Sequence, residues 1–470
     1  MHPASVRVRF TSLLLVGASG LLAFLISPAA HPMSPPVVQT WYVRSAATGS
    51  NNGSSWTDAY THFEDALAAA SAGDQVWVAE GTYGPAFNST THTYTFYVNK
   101  SLRIYGAFNG TEASVAARQG SAALTILDGD LGGGAHAPHV VTIDQVPGSL
   151  GIPGVLLDSF TVRNGKQLTG YGGGVYCDSS DLQLVGCLIH DNTAGYGGGL
   201  SYSVSTGAAQ YRTLFIESCE FRDNSAAVNG GAVFGESCYG DVLNCQFMQN
   251  TAEVHGGGVF LWNMSPSLSP LAFANCVFWA NGALNSTATT SLGGAVHLGE
   301  SGSGSTQHAK GNFINCTFSD NYADGCQPGQ ALFVSTYSTG VVKNSILAFN
   351  GGVSCSSIHP IGGGPTVDFT DLWWGASSTA WSGTGNRAVD PLFRSHAGGG
   401  LTLKAGSLCI DAADYGQLPS DTYDLDGDSN TTEALPIDLI GGNRFVDRVE
   451  TNTGAPSGQD YLDMGAYEKP

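Results

Sequence analysis

The residues best suited to chemistry lie near the C-terminus. Asp424-Leu-Asp-Gly-Asp-Ser-Asn430 sets oxygen-bearing side chains at alternate positions around a glycine turn, with Glu433 and Asp438 beyond. Alternating hard oxygen donors are what Ca²⁺ requires. Asp424, Asp426, Asp428 and Asn430 are therefore the candidate metal ligands, and Ca²⁺ the candidate cofactor. The run departs from a complete twelve-residue calcium loop, because Ser429 stands where the sixth-position Gly belongs and Leu435 where the bidentate acid belongs. A compact calcium loop and a plain acidic surface turn both fit it.

A second candidate set is aromatic. Tyr171 and Tyr196 each precede a glycine pair, and Tyr176, Phe234 and Phe260 each follow the Val that comes after such a pair. On a strand, that last position points opposite to the Val. These rings therefore read either as an outer face able to stack on sugar rings or as ordinary aromatic packing on a sheet exterior. Asp191, Asp223 and Asp320 occupy one repeated position and form a broken acidic strip. His255 and His297 are isolated and carry no ligand set.

Such residues need a scaffold, and the chain between about Gly165 and Asn350 is a repeat. Cys187-Leu-Ile-His-Asp-Asn192 returns as Cys219–Asn224, Cys245–Asn250, Cys276–Asn281 and Cys316–Asn321, and Ser345-Ile-Leu-Ala-Phe-Asn350 is a degenerate copy. A second word alternates with the first: Gly172-Gly-Gly-Val175, Gly197-Gly-Gly-Leu200, Gly230-Gly-Ala-Val233, Gly256-Gly-Gly-Val259 and Gly293-Gly-Ala-Val296. A period of roughly 25–40 residues marks a solenoid, in which each unit buries its apolar face only against its neighbours. Cys and the apolar residue two places on share one strand face. Asn, tolerant of left-handed backbone, closes the strand, and the glycines turn the next corner. No helical periodicity separates the words. The expected fold is all-β: a single-stranded right-handed parallel β-helix with an N-terminal helical cap and a loop-rich C-terminal cap. Cys, Phe and Asn should stack in columns about 4.8 Å apart, the Asn side chains bonding as a ladder.

Phe-x-x-Asn followed by Gly-Gly-Ala-Val resembles the repeat of chlamydial polymorphic outer membrane proteins, within the pectin-lyase-like β-helix superfamily. The resemblance covers the middle of the chain. It implies the fold and leaves function open, because hosts of this architecture differ in what they do.

In chain order, residues 1–30 carry Arg7 and Arg9, an apolar run Leu13–Ile26 and Ser27-Pro-Ala-Ala30. That is the pattern of an export signal peptide, the other reading being an uncleaved anchor. Residues 31–40 read as a linker, and 41–150 as an N-terminal cap with the first coils. There Asp58 or Thr61 is placed to cap a helix containing Phe63, Ala66, Leu67 and Ala70. The repeat body is expected over 151–395 and a C-terminal capping region over 396–470. Asp371-Leu-Trp-Trp-Gly375 and Leu462-Asp-Met-Gly-Ala-Tyr-Glu468 resemble the C-terminal segments of exported β-helix proteins, and no anchor follows the latter here. Secretion, or a place at the cell surface, is the expectation.

Charged residues make up only 12% of the chain and the formal net charge is −20. That balance argues against nucleic acid or an anionic membrane as partner and leaves cations, neutral glycans or a basic surface. No segment after residue 30 is long and apolar enough to span a membrane. Ten cysteines in an exported chain invite disulfides. Five of them share one column, however, and parallel in-register Cβ atoms stand too far apart to bridge, so a reduced ladder is expected. Two functions follow. One is a non-catalytic surface or matrix protein, adhesin-like, binding extracellular polysaccharide or a cell-surface partner. The other is a polysaccharide lyase or glycoside hydrolase. The paired carboxylates of the hydrolases and the acidic calcium cluster with an adjacent base of the lyases are both unrecognised in the repeat.

Overall fold

The computed structural model describes residues 38–470 except 92, 149–153, 205–211, 264–268, 285–290, 300–307, 325–328, 352–360, 376–377, 447–460 and 470. The signal peptide expected over 1–30 lies outside the described residues. The body is built from four parallel sheets, three of them running nearly its whole length. Sheet A has 11 strands from Thr40–Val43 to Thr366–Asp368, and sheet B has 10 from Gly81–Tyr83 to Asp371–Trp373. Sheet C has 6 short strands from Lys166–Tyr171 to Tyr322–Ala323, and sheet D has 9 from Phe96–Val98 to Ile361–Gly362. Between Val155 and Ala323 the chain visits A, B, C and D in turn and returns to A one coil further on, while the coils at either end pass from B to D directly. This is the right-handed parallel β-helix, the hand that parallel crossovers take. Among the described residues no helix is long and apolar enough to cross a membrane.

The expected columns are present. Phe221, Phe247, Phe278 and Phe318 are fully buried. Their rings stack at 5.2, 4.8 and 4.5 Å with interplanar angles of 8°, 6° and 4°. Val175, Leu200, Val233, Val259 and Val296 are buried opposite them. The two glycines of each pair serve different needs. The first takes positive φ, as at Gly172 (63°) and Gly230 (69°). A Cβ on the second would meet a carbonyl oxygen of the next coil, Thr193 O for Gly173 and Gly257 O for Gly231.

The asparagines form a buried ladder. Each donates Nδ2 to the Oδ1 of the next, Asn192 to Asn224 to Asn250 to Asn281 to Asn321 to Asn350, at 2.9–3.1 Å. Each Oδ1 also accepts the backbone N–H of the preceding ladder Asn, as Asn250 Oδ1 does from Asn224 at 3.1 Å. The second Nδ2 proton goes to a strand carbonyl of the coil before, Asn250 to Phe221 O at 2.9 Å. The backbone reason expected for Asn is displaced by one residue. Asp191, Asp223, Gln249, Ala280, Asp320 and Phe349, each just before a ladder Asn, take φ of 53–59°. A left-handed residue turns the corner outward, which frees the following Asn to point into the core.

The cysteine column works in the same way at the corner between sheets A and B. Cys245 Sγ donates to Leu243 O at 3.1 Å and accepts the backbone N–H of Cys219 at 3.4 Å. The thiols are therefore corner hydrogen-bonding groups as well as core filler, and all five are unbridged. Ser345 substitutes because its hydroxyl does the same, donating to Lys343 O and accepting from Cys316 N. Thr370 continues the column. Burial pushes the thiols of Cys187, Cys219, Cys245 and Cys276 well above their ordinary pKa.

The helix Phe63–Ala69 closes the first coil, burying Phe63, Ala66 and Leu67. Phe63 packs on Phe96 at 5.0 Å. Its N-cap is His62, without a side-chain cap. Asp58 and Thr61 are engaged elsewhere: Asp58 accepts from Ser50 N, and Thr61 bonds Asn51. The expected caps are held instead by the loop 50–55 that precedes them. At the other end Trp374 is buried in the core and Trp381 packs against it.

Phe247→Ala should cost about 3–5 kcal/mol through the lost ring and residual cavity. Cys245→Ser should be nearly neutral, whereas Cys245→Ala should cost about 1 kcal/mol more by stranding the Cys219 amide. Urea unfolding of the three variants measures all three values.

Candidate functional site

The body has outer faces of different kinds. Much of sheets A and B is covered by the chain itself. Leu425 and Leu435 pack with Phe215, Leu243 and Ala274 on the outside of sheet A. Tyr423 stacks on Phe215 at 4.1 Å and donates its hydroxyl to Asp241 at 2.8 Å. On sheet B, Val277, Ile346 and Ala348 lie under Leu401, Leu403 and Met464. Outward corner asparagines hold this region in place. Asn275 donates to Ile437 O at 2.8 Å and accepts from the buried Arg444 guanidinium at 2.6 Å. Asn344 exchanges two hydrogen bonds with the backbone of Asp414, both 2.9 Å.

The aromatic set lies along the junction of sheets C and D, with Tyr171 and Tyr196 ending sheet C strands and Tyr176, Phe234 and Phe260 on sheet D, and it divides in two. Phe234 and Phe260 are buried, 0% and 6% exposed. The expectation that they present rings to a ligand is therefore corrected. Phe234 stacks on Phe260 at 5.8 Å and receives Tyr171 and Tyr196 at 5.6 and 5.3 Å. Stacked coils put large rings in register, so they cover one another. His255 and His297 extend this packing and are pushed below the ordinary histidine pKa by burial. Tyr171, 39% exposed, lies on half-buried Tyr196 at 4.9 Å and 22°.

Tyr176 is half-buried on the sheet D strand that follows Tyr171, stacked on His139 at 5.0 Å. Its column continues through Thr142 to Tyr97. Beside this column Asp144 pairs in register with Asp178, and Tyr97 donates its hydroxyl to Asp144 at 2.9 Å. Burial, then the nearby Asp178 and Asp144, push the Tyr176 phenol up to about 12. Tyr97, Asp144 and Asp178 escaped the sequence reading because they precede or flank the regular words. The alternation Val141-Thr-Ile-Asp144, matched to Val175-Tyr-Cys-Asp178, was the available signal.

The acidic loop sits on the A-face lobe. Carboxylate oxygens of Asp424, Asp426 and Asp428 lie within 4.8 Å of one another. Asn430 is turned away, its Oδ1 accepting from the Thr432 hydroxyl and its Nδ2 donating to Glu433 at 3.1 Å. Leu435 is buried against the sheet, so the twelfth loop position is an anchor. A second group, Asp421, Asp426 and Glu433, lies equally close together and shares Asp426.

The carboxylates nearest basic groups are already committed. Asp158 pairs with Arg118 at 2.7 Å, and Asp128 with Arg163 at 2.8 Å. Asp371 is fully buried at the last coil, where desolvation pushes its carboxyl up to about 7 despite a bond from Val389 N. Asp320 meets His396, and Asp191 meets His190. The strip Asp191, Asp223 and Asp320 is thus a line of left-handed corners.

No protein-family model matches the chain, and no curated protein matches it. Among solved structures it is similar to the pectate lyase Pel9A, with a TM-score of 0.48 and 15% identity over 93% of this chain and 97% of that one. It is also similar to pectin methylesterase PemA from Erwinia chrysanthemi, with a TM-score of 0.34 and 12% identity over 78% and 95%. A pectin methylesterase from Aspergillus niger gives 0.31 and 15% over 76% and 93%.

Tyr423→Ala should release the Asp421–Leu435 lobe while leaving the coils intact. Limited proteolysis is expected to cut within 421–435 faster in the variant, with the surviving body keeping the wild-type melting transition.

Proposed function

We propose that this protein is an exported, non-catalytic β-helix that binds carbohydrate along the junction of sheets C and D, as a surface or matrix protein. The observation that carries this reading is the exposed Tyr171 ring on Tyr196, both resting on buried Phe234. An aromatic plane held from behind is preorganised, so little rotamer freedom is lost when a sugar face stacks on it. Tyr176, flanked by Asp144 and Asp178, adds acceptors at the rim for sugar hydroxyls. The acidic balance of the chain favours neutral glycans over acidic ones. Export rests on the pattern of residues 1–30.

The catalytic alternative, a lyase or glycoside hydrolase, needs carboxylates or a base poised over a groove. What supports the non-catalytic reading is the engagement of Asp128, Asp158 and Asp371, together with the lobe seated on sheet A. A glycan array followed by calorimetry tests the proposal. Tyr171→Ala and Tyr176→Ala should each weaken binding roughly tenfold, with unchanged melting. Binding indifferent to both substitutions would sink the site at the junction of sheets C and D. Chain cleavage of an arrayed polysaccharide would favour the alternative.

A further inference from the structure

The acidic lobe carries an observation that the aromatic face does not explain. Asp421 is 1% exposed, yet its carboxylate has no basic partner. One oxygen accepts the Leu425 amide at 2.9 Å, while Oδ1 is buried without a donor. Glu433 repeats the pattern, with Oε2 accepting from Asn430 and Oε1 buried without a donor. The two residues are held together by the backbone, since Asp421 N donates to Glu433 O at 2.8 Å and Ser420 bridges Ala434. Asp426 brings a third carboxylate oxygen within 4.8 Å of theirs. Among the described residues, no ion pair involves Asp421, Asp424, Asp426, Asp428 or Glu433.

Burying a carboxylate beside like charges, with an oxygen unbonded, is costly unless a cation meets it. We propose that Asp421, Asp426 and Glu433 bind one hard divalent cation, Ca²⁺, with Asp424 as the adjoining oxygen donor. This reassigns the site that the spacing of Asp424–Asn430 points to, moving its centre to the buried side of the loop. Asn430 becomes a support that orients Glu433, and Leu435 becomes the anchor holding the loop on the sheet. Several carboxylates on an irregular loop suit the flexible, oxygen-rich shell of Ca²⁺ better than the strict octahedron of Mg²⁺. The ion would tie Asp421 at one end of the lobe to Glu433 at the other. Tyr423 and Leu425 lie between them and Leu435 just beyond, and these side chains dock on Phe215, Leu243 and Ala274. Calcium therefore fixes the lobe on the flank of the body, a role separate from carbohydrate binding at the junction of sheets C and D.

The test is calorimetric titration of Ca²⁺ into the chelator-treated full chain, run with Asp421→Asn, Glu433→Gln and Asp428→Asn. One site is expected in the wild type. Its dissociation constant should rise about tenfold or more in Asp421→Asn and Glu433→Gln, and much less in Asp428→Asn. Hydrogen exchange in 421–435 should slow with Ca²⁺ in the wild type. If Asp421→Asn does not fold, Glu433→Gln carries the comparison, because its side chain is only partly buried. No binding at about 10 mM Ca²⁺ overturns the proposal. So does an affinity indifferent to Asp421→Asn and Glu433→Gln.

Discussion

Through the repeat body, from Asn192 to Asn350, each coil is held to the next by polar side chains buried inside it. Parallel strands satisfy their own backbone, but corners do not, and a stacked helix repeats each corner once per coil. A buried amide or carbonyl left open at each one would be costly many times over. The ladder asparagines close one set of corners and the cysteine thiols the other. Because an Asn carries both donors and an acceptor, it serves the coil before and the coil after. A left-handed residue in front of it swings the chain outward so that the amide turns inward. The Cys-x-Phe-x-x-Asn word is thus one unit, with a corner donor, a stacked ring and a ladder rung.

That internal order decides what the surface can do. With the coils fixed, each outer position falls in a column, and columns of large apolar residues must be covered. Three coverings are visible. The helix carrying Phe63 and the pair Trp374 and Trp381 close the ends, where open strand edges would otherwise invite association. The C-terminal region returns along the flank, its lobe seated by Tyr423 on Phe215. The rings of sheet D cover one another, leaving Tyr171, Tyr196 and Tyr176 at the margin. The surface suited to a ligand is therefore the margin of a self-packed aromatic column, a different place from the flank where the acidic lobe sits.

Much of this was legible in the sequence for a physical reason. A solenoid writes its core once per coil, so the buried Phe, Val and Asn positions could be read off by repetition. Corner geometry was half legible: the left-handed residue is Asp, Gln, Ala or Phe, types too varied to mark the position. The site was less legible still. Alternation places Phe234 and Phe260 on the outer face, but exposure depends on neighbours two coils away. Asp421 and Glu433 lie outside the Asp424–Asn430 spacing and meet only because Ser420 pairs with Ala434. The cap at Asp58 failed for a local reason, since the preceding loop at Ser50 and Ser55 claimed its carboxylate.

The ladder itself is tested most directly by a double-mutant cycle at adjacent rungs. Asn224→Ala and Asn250→Ala each break the same shared bond, whereas Asn192→Ala and Asn321→Ala lie on rungs that share none. In urea unfolding, the adjacent pair should cost less than the sum of its singles by about 1 kcal/mol or more, while the distant pair should add to within about 0.5 kcal/mol. Simple additivity at Asn224 and Asn250 would mean that the asparagines act one by one, and a ladder joining coil to coil would be contradicted.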